Sequence, residues 1–257
     1  PFKGDMVTER NKILTPLTAT PKALAIVFKE LVEFFDYSGP VGVGFPSVIQ
    51  KGVARSATNL DKAWIGTSIE KTFGKHVDGR VFAVNDADAA GLAEMEFGAG
   101  ADYHNGTVIL ITIGTGLGAG LFIDGKLVPN MEFGSMYLRD MKVIAERFVS
   151  NKVRKDEELS WKDFGKRFNI YLKHIERIFS PDTIILGGGA SKSFASFKSE
   201  LTDVEADIMP AQMLNKASLR RQGVKNAPVE KRISGENQPS PKGPRSRRFR
   251  QRAFEFC

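Results

Sequence analysis

Residues 107–128, TVILITIGTGLGAGLFIDGKLV, decide the fold. Thr107 to Ile113 are β-branched except for Leu110, a composition typical of a strand buried on both faces. The glycine-rich segment Gly114–Gly120 follows, and Asp124-Gly125 has the composition of a tight hairpin turn. The stretch therefore predicts a strand, a glycine turn, a second strand and a second hairpin that ends near Val128.

The glycine-rich segment has several interpretations. Gly114, Gly116 and Ala119 superficially match the dinucleotide-binding pattern, but that pattern requires a helix after the glycines and here the chain continues as a strand. The interpretation that remains is a strand–turn–strand that binds a phosphate group. Glycine lets backbone amides approach an anion, and Thr115 adds a hydroxyl donor. The alternative is a plain tight hairpin, which explains two of the four glycines.

The rest of the chain alternates between helical and extended patterns. A helix is predicted over Lys22–Phe35, another over Ala87–Phe97, and a long one after the capping residue Ser160. Strands are predicted over Pro40–Ile49 (interrupted at Phe45-Pro46), Arg80–Asn85 and Thr183–Leu186, the last ended by Gly187-Gly188-Gly189. Strands interleaved with helices indicate an α/β fold.

A pair of polar residues stands where the Arg80–Asn85 strand meets the next helix. Ligands of open α/β sheets collect at the carboxyl ends of strands, so Asp86 is a candidate functional carboxylate. A carboxylate there can accept the proton of a hydroxyl group during phosphoryl transfer. The alternative is helix capping, which suits Asn85 and Asp86 equally well.

The 42% hydrophobic content of the 257 residues is enough for a sizeable core, so the chain is not disordered throughout. The net charge of +7 is distributed unevenly. Residues 218–257 contain 11 Lys and Arg against 3 Glu, and the rest of the chain is nearly neutral. This segment is rich in Pro, Ser, Gln and Arg, so we expect a disordered tail. Nonspecific binding of nucleic acid or acidic lipid through its charge is the alternative.

Cysteine and histidine usage narrows the class of protein further. The single cysteine, Cys257, excludes a disulfide framework and a cysteine-based zinc site, and it favours a reducing cytoplasm. His76, His104 and His174 are scattered and form no metal-binding pattern. The most apolar stretch is interrupted by glycines and threonines, so no membrane span is expected.

Taken together, these motifs resemble the ROK (repressor, open reading frame, kinase) sugar kinases and, within them, the polyphosphate glucokinases. The resemblance covers roughly residues 10 to 217. It is carried by Gly42–Pro46 (GVGFP), Ser56–Trp64 (SATNLDKAW), Asn85–Glu94 (NDADAAGLAE), Ile113–Gly118 (IGTGLG), Asp124–Asn130 (DGKLVPN), Glu132–Gly134 (EFG), Leu159–Trp161 (LSW) and Gly187–Gly189.

The resemblance implies an actin-like, ribonuclease H-like fold of two α/β lobes around a cleft. Residues 1–103 would form a small lobe, residues 104–217 a large lobe, and residues 218–257 the tail. The family opens with a strand and an Asp-x-Gly-Gly-Thr phosphate loop, and Pro1 aligns just past them. A homodimer is also expected from the family.

The same resemblance implies roles for individual residues in glucose phosphorylation. Asp86 would be the base that takes the proton of the glucose 6-hydroxyl. The sugar hydroxyls would be held by Asn59, Asn85, Glu132 and Glu146, together with Ser135, which stands where the family has histidine and can still hydrogen-bond. Phosphate would bind at Gly114, Thr115, Gly116 and Gly118, and a nucleotide at Gly187, Gly188 and Gly189.

The implied donor is polyphosphate or ATP with Mg2+, and the sequence does not separate the two. Lys62, Lys71 and Lys75 are candidates for a polyanion path, with ordinary solvated lysines as the alternative. The implied product is glucose 6-phosphate. The alternative function is a sugar-binding protein of the same fold that does not phosphorylate its ligand.

Overall fold

The computed structural model describes residues 11–213 and the backbone of Arg252–Glu255. The helices are α1 (Pro21–Phe34), α2 (Ile69–Phe73), α3 (Asp86–Phe97), α4 (Ala145–Val149), α5 (Asn151–Asp156) and α6 (Trp161–Phe179). The strands are β1 (Val41–Phe45), β2 (Ile49–Gln50), β3 (Val53–Ala54), β4 (Val81–Asn85), β5 (Thr107–Ile113), β6 (Leu117–Ile123), β7 (Lys126–Val128), β8 (Thr183–Gly187), β9 (Asp207–Pro210) and β10 (Arg252–Glu255). The helices and strands predicted from the sequence are confirmed, including the interruption after Phe45.

The larger sheet has the strand order β7-β6-β5-β8-β9. β5 and β6 form the predicted hairpin, with Ile113 opposite Leu117, and β8 runs parallel to β5 on its other side. α6 buries Phe164, Phe168, Tyr171, Leu172 and Ile175 in the same core as these strands. The side chain of Ser160 accepts a hydrogen bond from the Asp163 backbone at 3.0 Å, so the predicted cap of α6 is confirmed.

The smaller sheet has the order β10-β1-β4, with both pairs of strands parallel. Trp64 is fully buried in its aromatic core, and the indole Nε1 donates to the Ala19 carbonyl at 2.9 Å. The sequence predicts a disordered tail over residues 218–257, and this prediction is wrong for Arg252–Glu255, which form β10. The edge of β1 offers backbone groups with which these four residues pair. The rest of that tail, and residues 214–217, lie outside the described residues.

Helix α3 joins the two sheets, since it packs against both β1 and β6. Gly118 in β6 allows this approach, since a Cβ there would lie 2.9 Å from that of Ala87, whereas one at Gly120 would meet the Ala87 carbonyl at an ordinary contact distance of 3.6 Å. The packing of the helix therefore explains one glycine of the segment in addition to those of the hairpin turn. No helix among the described residues has the length and apolar character that crossing a bilayer requires.

The far end of α3 is fixed by a buried carboxylate. Glu94 is 3% exposed and accepts three backbone hydrogen bonds, from Ala99, Gln212 and Met213, at 2.8–3.0 Å. These donors belong to the turn after α3 and to the segment after β9. α3 is therefore held in a defined position against the larger sheet, and its first residue, Asp86, is held with it.

Candidate active site

Asp86 is exposed at the first position of α3, immediately after β4. The N-cap of α3 is Asn85, whose side-chain oxygen accepts hydrogen bonds from the backbone of Ala87 at 2.8 Å and of Asp88 at 3.3 Å. The Asn85 amide nitrogen donates to the Ser47 carbonyl at 3.1 Å. Asp86 Oδ1 also accepts the Ala87 N–H, at 2.9 Å, so Asp86 contributes to the first turn of α3 while its exposed carboxylate stands at the carboxyl end of the strand.

The segment Ser47–Ile49, which follows β1, connects to several parts of the site and is called the connecting segment below. In addition to Asn85, it binds the loop that precedes Asn59. The Ser47 hydroxyl donates to the Ser56 carbonyl at 2.8 Å, and the Val48 backbone donates to the Ser56 hydroxyl at 2.9 Å. Asn59 lies three residues further on, exposed in a bend.

Asn130 joins the connecting segment to the loop that follows β7. Its side chain accepts a hydrogen bond from the Ile49 N–H at 2.7 Å and donates one to the Ile49 carbonyl at 2.8 Å. Its own N–H donates to Asp88 Oδ2 at 2.9 Å. Its φ of +64° lies in the left-handed region, which asparagine tolerates better than most residues. Since Glu132 is two residues later, these bonds fix the Glu132 loop against the first turn of α3.

The carboxylates of this region influence one another. Partial burial raises the pKa of Glu132 above its ordinary value, and the negative charges of Asp86, Glu146 and Asp88 raise it further. Burial also raises the pKa of Asp88, against the effect of the hydrogen bond from Asn130. Clustered carboxylates are strong hydrogen-bond acceptors, so the arrangement suits a neutral ligand rich in hydroxyl groups.

The turn between β5 and β6 borders these carboxylates. Its backbone closes through a hydrogen bond from Gly114 N–H to the Gly116 carbonyl at 3.0 Å, and Thr115 is exposed at its tip. The Glu146 carboxylate lies so close to Gly116 that a Cβ there would overlap it. The turn therefore lies directly beside one of the predicted sugar ligands.

The second glycine cluster lies at the same edge of the larger sheet, because the parallel strands β5 and β8 end side by side. Gly188 has a φ of +76°, and a Cβ there would lie 2.6 Å from the backbone nitrogen of Ile113. Gly189 lies next to Asn151, at the start of α5. The two glycine turns and α5 therefore form one continuous surface.

The structure brings most of the predicted site together. Glu132 interacts electrostatically with Asp86 and with Glu146, and the Gly114–Gly116 turn lies beside Glu146. The Gly187–Gly189 turn lies against Ile113 and Asn151. Ser135 is exposed at the end of a short helical turn, with its N–H bonded to the Glu132 carbonyl at 3.0 Å. Gly118 lies within β6, beneath α3. The ligand roles of these residues, and of Asn59 and Asn85, stay predictions.

Sequence reasoning missed two lysines on α5. Lys152 and Lys155 line a cavity of about 340 Å³ together with Gly114, Thr115, Asn151 and Asp156. Of the lysines considered from the sequence, Lys62 donates to the Ala57 carbonyl at 2.9 Å, and Lys75 lines a different cavity with Pro21 and Thr72. A signal was present in the run NKVRKD, where the lysines are three residues apart, but nothing in the sequence places that run beside Gly114.

Magnesium does not need a dedicated protein cage in a site of this kind. The described residues contain no group of three or more His, Cys, Asp or Glu side chains placed to hold a metal ion. Mg2+ keeps several waters and is usually bound by one or two carboxylates plus substrate phosphates. The site therefore fits an ion that arrives with a phosphate donor, with the exposed carboxylate of Asp86 able to face it.

Comparison with known proteins identifies the family. The ROK family profile matches residues 3–141, and the chain belongs to that family. The polyphosphate glucokinase of Mycobacterium tuberculosis (strain H37Rv) is 38% identical over 217 residues, which are 84% of this chain and 80% of that protein. The corresponding protein of Mycobacterium leprae is 38% identical over 190 residues.

Solved structures agree with this assignment. The inorganic polyphosphate/ATP-glucomannokinase of Arthrobacter sp. strain KM is 37% identical with a TM-score of 0.75, over 85% of this chain and 91% of that one. A ROK family glucokinase of Streptomyces griseus, solved with glucose and AMPPNP, has a TM-score of 0.67 at 21% identity, over 86% of this chain and 94% of that one. The actin-like sugar-kinase fold expected from the motifs is confirmed.

Removing the Asn130 side chain should destabilise the protein. Asn130→Ala leaves the Ile49 N–H and carbonyl without their partners, so we expect a loss of about 1–3 kcal/mol in the free energy of unfolding. Asp140→Ala is the matched control, because Asp140 is exposed and has a similar φ of +61°. Denaturant unfolding of both variants measures the difference, and equal losses would show that the side-chain bonds of Asn130 contribute nothing.

Neutralising Glu132 should stabilise the ligand-free protein near neutral pH. The raised pKa of Glu132 means that its ionisation opposes folding, so Glu132→Gln should have a higher melting temperature than the wild type at pH 7. The gain should shrink as the pH falls through the raised pKa towards the ordinary value of 4.5, where wild-type Glu132 becomes neutral too. Melting curves across this range test the sign. A gain that grows on acidification would contradict it.

Proposed function

We propose that the protein is a hexose kinase that transfers a phosphoryl group from polyphosphate or ATP to the 6-hydroxyl of glucose. The observation that carries the proposal is the convergence of Asp86, Glu132 and Glu146 beside the Gly114–Gly116 turn. The relatives named polyphosphate glucokinase support the same reaction, since they align with most of this chain.

The acceptor side of the cleft is suited to a sugar. Glu132 and Glu146 supply carboxylate oxygens for sugar hydroxyls, and Asn59 and Ser135 add exposed polar groups at neighbouring loops. Partial burial, together with repulsion from its acidic neighbours, raises the pKa of Glu132 in the absence of ligand. Hydroxyl donors from a bound sugar would relieve that cost, because hydrogen bonds to a carboxylate favour its charged form.

In the reaction, the 6-hydroxyl oxygen attacks the terminal phosphorus of the donor. A new P–O bond forms, and the bond between that phosphorus and the bridging oxygen breaks. Asp86 accepts the proton of the hydroxyl, and the donor leaves as ADP or as a polyphosphate shorter by one unit. Because phosphoryl transfer depends mainly on positioning and electrostatics, the contribution of the protein is to hold hydroxyl, base and phosphate in line.

The donor side comprises the two glycine turns. At Gly114–Gly116 and Gly187–Gly189 the backbone can approach a phosphate group closely, and the Thr115 hydroxyl is exposed for a further hydrogen bond. Mg2+ bound to the donor would neutralise part of its charge. Two further parts of the proposal, a homodimer and a cytoplasmic location, rest on the family resemblance and on the lone Cys257.

Asp86→Asn is the direct test of the base. The amide keeps the size of the side chain but cannot accept the proton, so kcat should fall by about 10²–10⁴. Glucose binding, measured by calorimetry, should stay within a few-fold of the wild type. Glucose 6-phosphate formation with ATP and with polyphosphate provides the rate.

Asp102→Asn is the matched control, because Asp102 is also exposed but lies in the loop after α3. It should keep wild-type kcat. Undiminished turnover in Asp86→Asn would remove Asp86 from the role of base. Glucose binding without any product in the wild type would favour the sugar-binding protein that does not phosphorylate its ligand.

A further inference from the structure

A basic cavity adjoins the Gly114–Gly116 turn. It has a volume of about 340 Å³, and its lining includes Gly114, Thr115, Lys152 and Lys155. A backbone hydrogen bond from Asn151 to the Gly114 carbonyl, at 3.1 Å, holds α5 against the turn. The cavity is therefore a direct extension of the turn at which the donor phosphate is proposed to lie.

The two lysines are placed to meet an extended anion. Lys152 and Lys155 are three residues apart on α5, so they lie on one side of the helix, and both are exposed. The intervening Arg154 is committed elsewhere: it donates to Asn151 at 3.2 Å and to the Leu159 carbonyl at 3.2 Å, and it stacks over the Trp161 ring at 4.2 Å. Arg154 therefore holds α5 in place while the lysines face the cavity.

Charges of both signs border the glycine turn. Glu146, a proposed sugar ligand, lies against Gly116, and the two lysines line the cavity at Gly114 and Thr115. Asp156 also lines the cavity and pairs with Lys152, so it offsets part of the positive charge. A ligand that gains from this surface is one that carries negative charge beyond the phosphate held at the turn.

We propose that Lys152 and Lys155 bind the part of a linear polyphosphate chain that extends beyond the transferred phosphoryl group. This rests on the proposed function, in which the transferred phosphate lies at Gly114–Gly116. A nucleotide has a short run of phosphates followed by a sugar and a base, and so gains less from two further cations. The lysines thereby favour polyphosphate over ATP.

Lysine footprinting gives a local readout that does not depend on turnover. The full chain is acetylated with an amine-reactive reagent in the presence and absence of sodium polyphosphate, and each site is quantified by mass spectrometry. Polyphosphate should slow modification of Lys152 and Lys155 but not of Lys29, an exposed lysine paired with Glu33 on α1. Unchanged reactivity of both cavity lysines would overturn the proposal.

Variants then test the contribution of each charge to donor use. Lys155→Ala should raise the KM for polyphosphate by about fivefold, the size of a favourable exposed ion pair, and Lys152→Ala/Lys155→Ala by more. Asp156→Asn should lower that KM, because it removes a negative charge from the cavity. The KM for ATP should change less than about twofold in each variant.

Lys29→Ala is the matched control, since it removes one side of an (i,i+4) pair like that of Lys152 with Asp156. It should leave both KM values unchanged. Equal effects of Lys155→Ala and Lys29→Ala, or the same direction of change in Lys155→Ala and Asp156→Asn, would contradict the proposal. If no donor supports turnover, the proposed function fails, while footprinting still decides whether polyphosphate occupies the cavity.

Discussion

The structure depends on the backbone hydrogen bonds of the connecting segment, Ser47–Ile49. These residues follow β1 and bind the loop at Ser56, the helix cap Asn85 and Asn130, which follows β7. Each partner lies within three residues of a predicted ligand or base: Asn59, Asp86 or Glu132. Since buried backbone groups must be paired, the same bonds that stabilise the segment also fix the spacing of the site.

Helix α3 connects this part of the site to the larger sheet. It is capped by Asn85 at one end and anchored through the buried Glu94 at the other, and Gly118 of β6 lets it lie close to the strand. Asp86 is therefore held on a well-anchored helix, with its carboxylate exposed at the carboxyl end of β4. The cost of this order is the partial burial of carboxylates that also repel one another, which raises the pKa of Glu132 and of Asp88.

Local patterns predicted most of the fold. Apolar periodicity predicts α1 and α6, and β-branched runs predict β5 and β8, because these signals depend on neighbouring residues. The sequence marks the junction at Asp86, but only the structure shows that Asn85 is the N-cap of α3. Asn130 belongs to a family motif, yet its bonds to Ile49 span 81 residues of sequence, and no local pattern predicts such a contact.

The sequence does not show what the glycines of β6 and the lysines of α5 contact. Gly118 exceeds the needs of a hairpin because α3 packs over it, and that helix lies elsewhere in the sequence. Lys62, Lys71 and Lys75 stay candidates for a polyanion path, with ordinary solvated lysines as the alternative. The lysines that adjoin the glycine turn are Lys152 and Lys155, brought there by the packing of α5 against Gly114.

A crystal structure of the full chain with glucose would show directly whether the connecting segment holds the base and the sugar ligands around one hydroxyl. We expect an Asp86 carboxylate oxygen within about 2.6–3.2 Å of the glucose 6-hydroxyl, which is the reach of a general base. Glu132 should contact the same sugar, and Asn130 should still bridge to Ile49. Glucose bound away from Asp86, or a 6-hydroxyl that faces away from its carboxylate, would show that the connecting segment does not position Asp86 as the base.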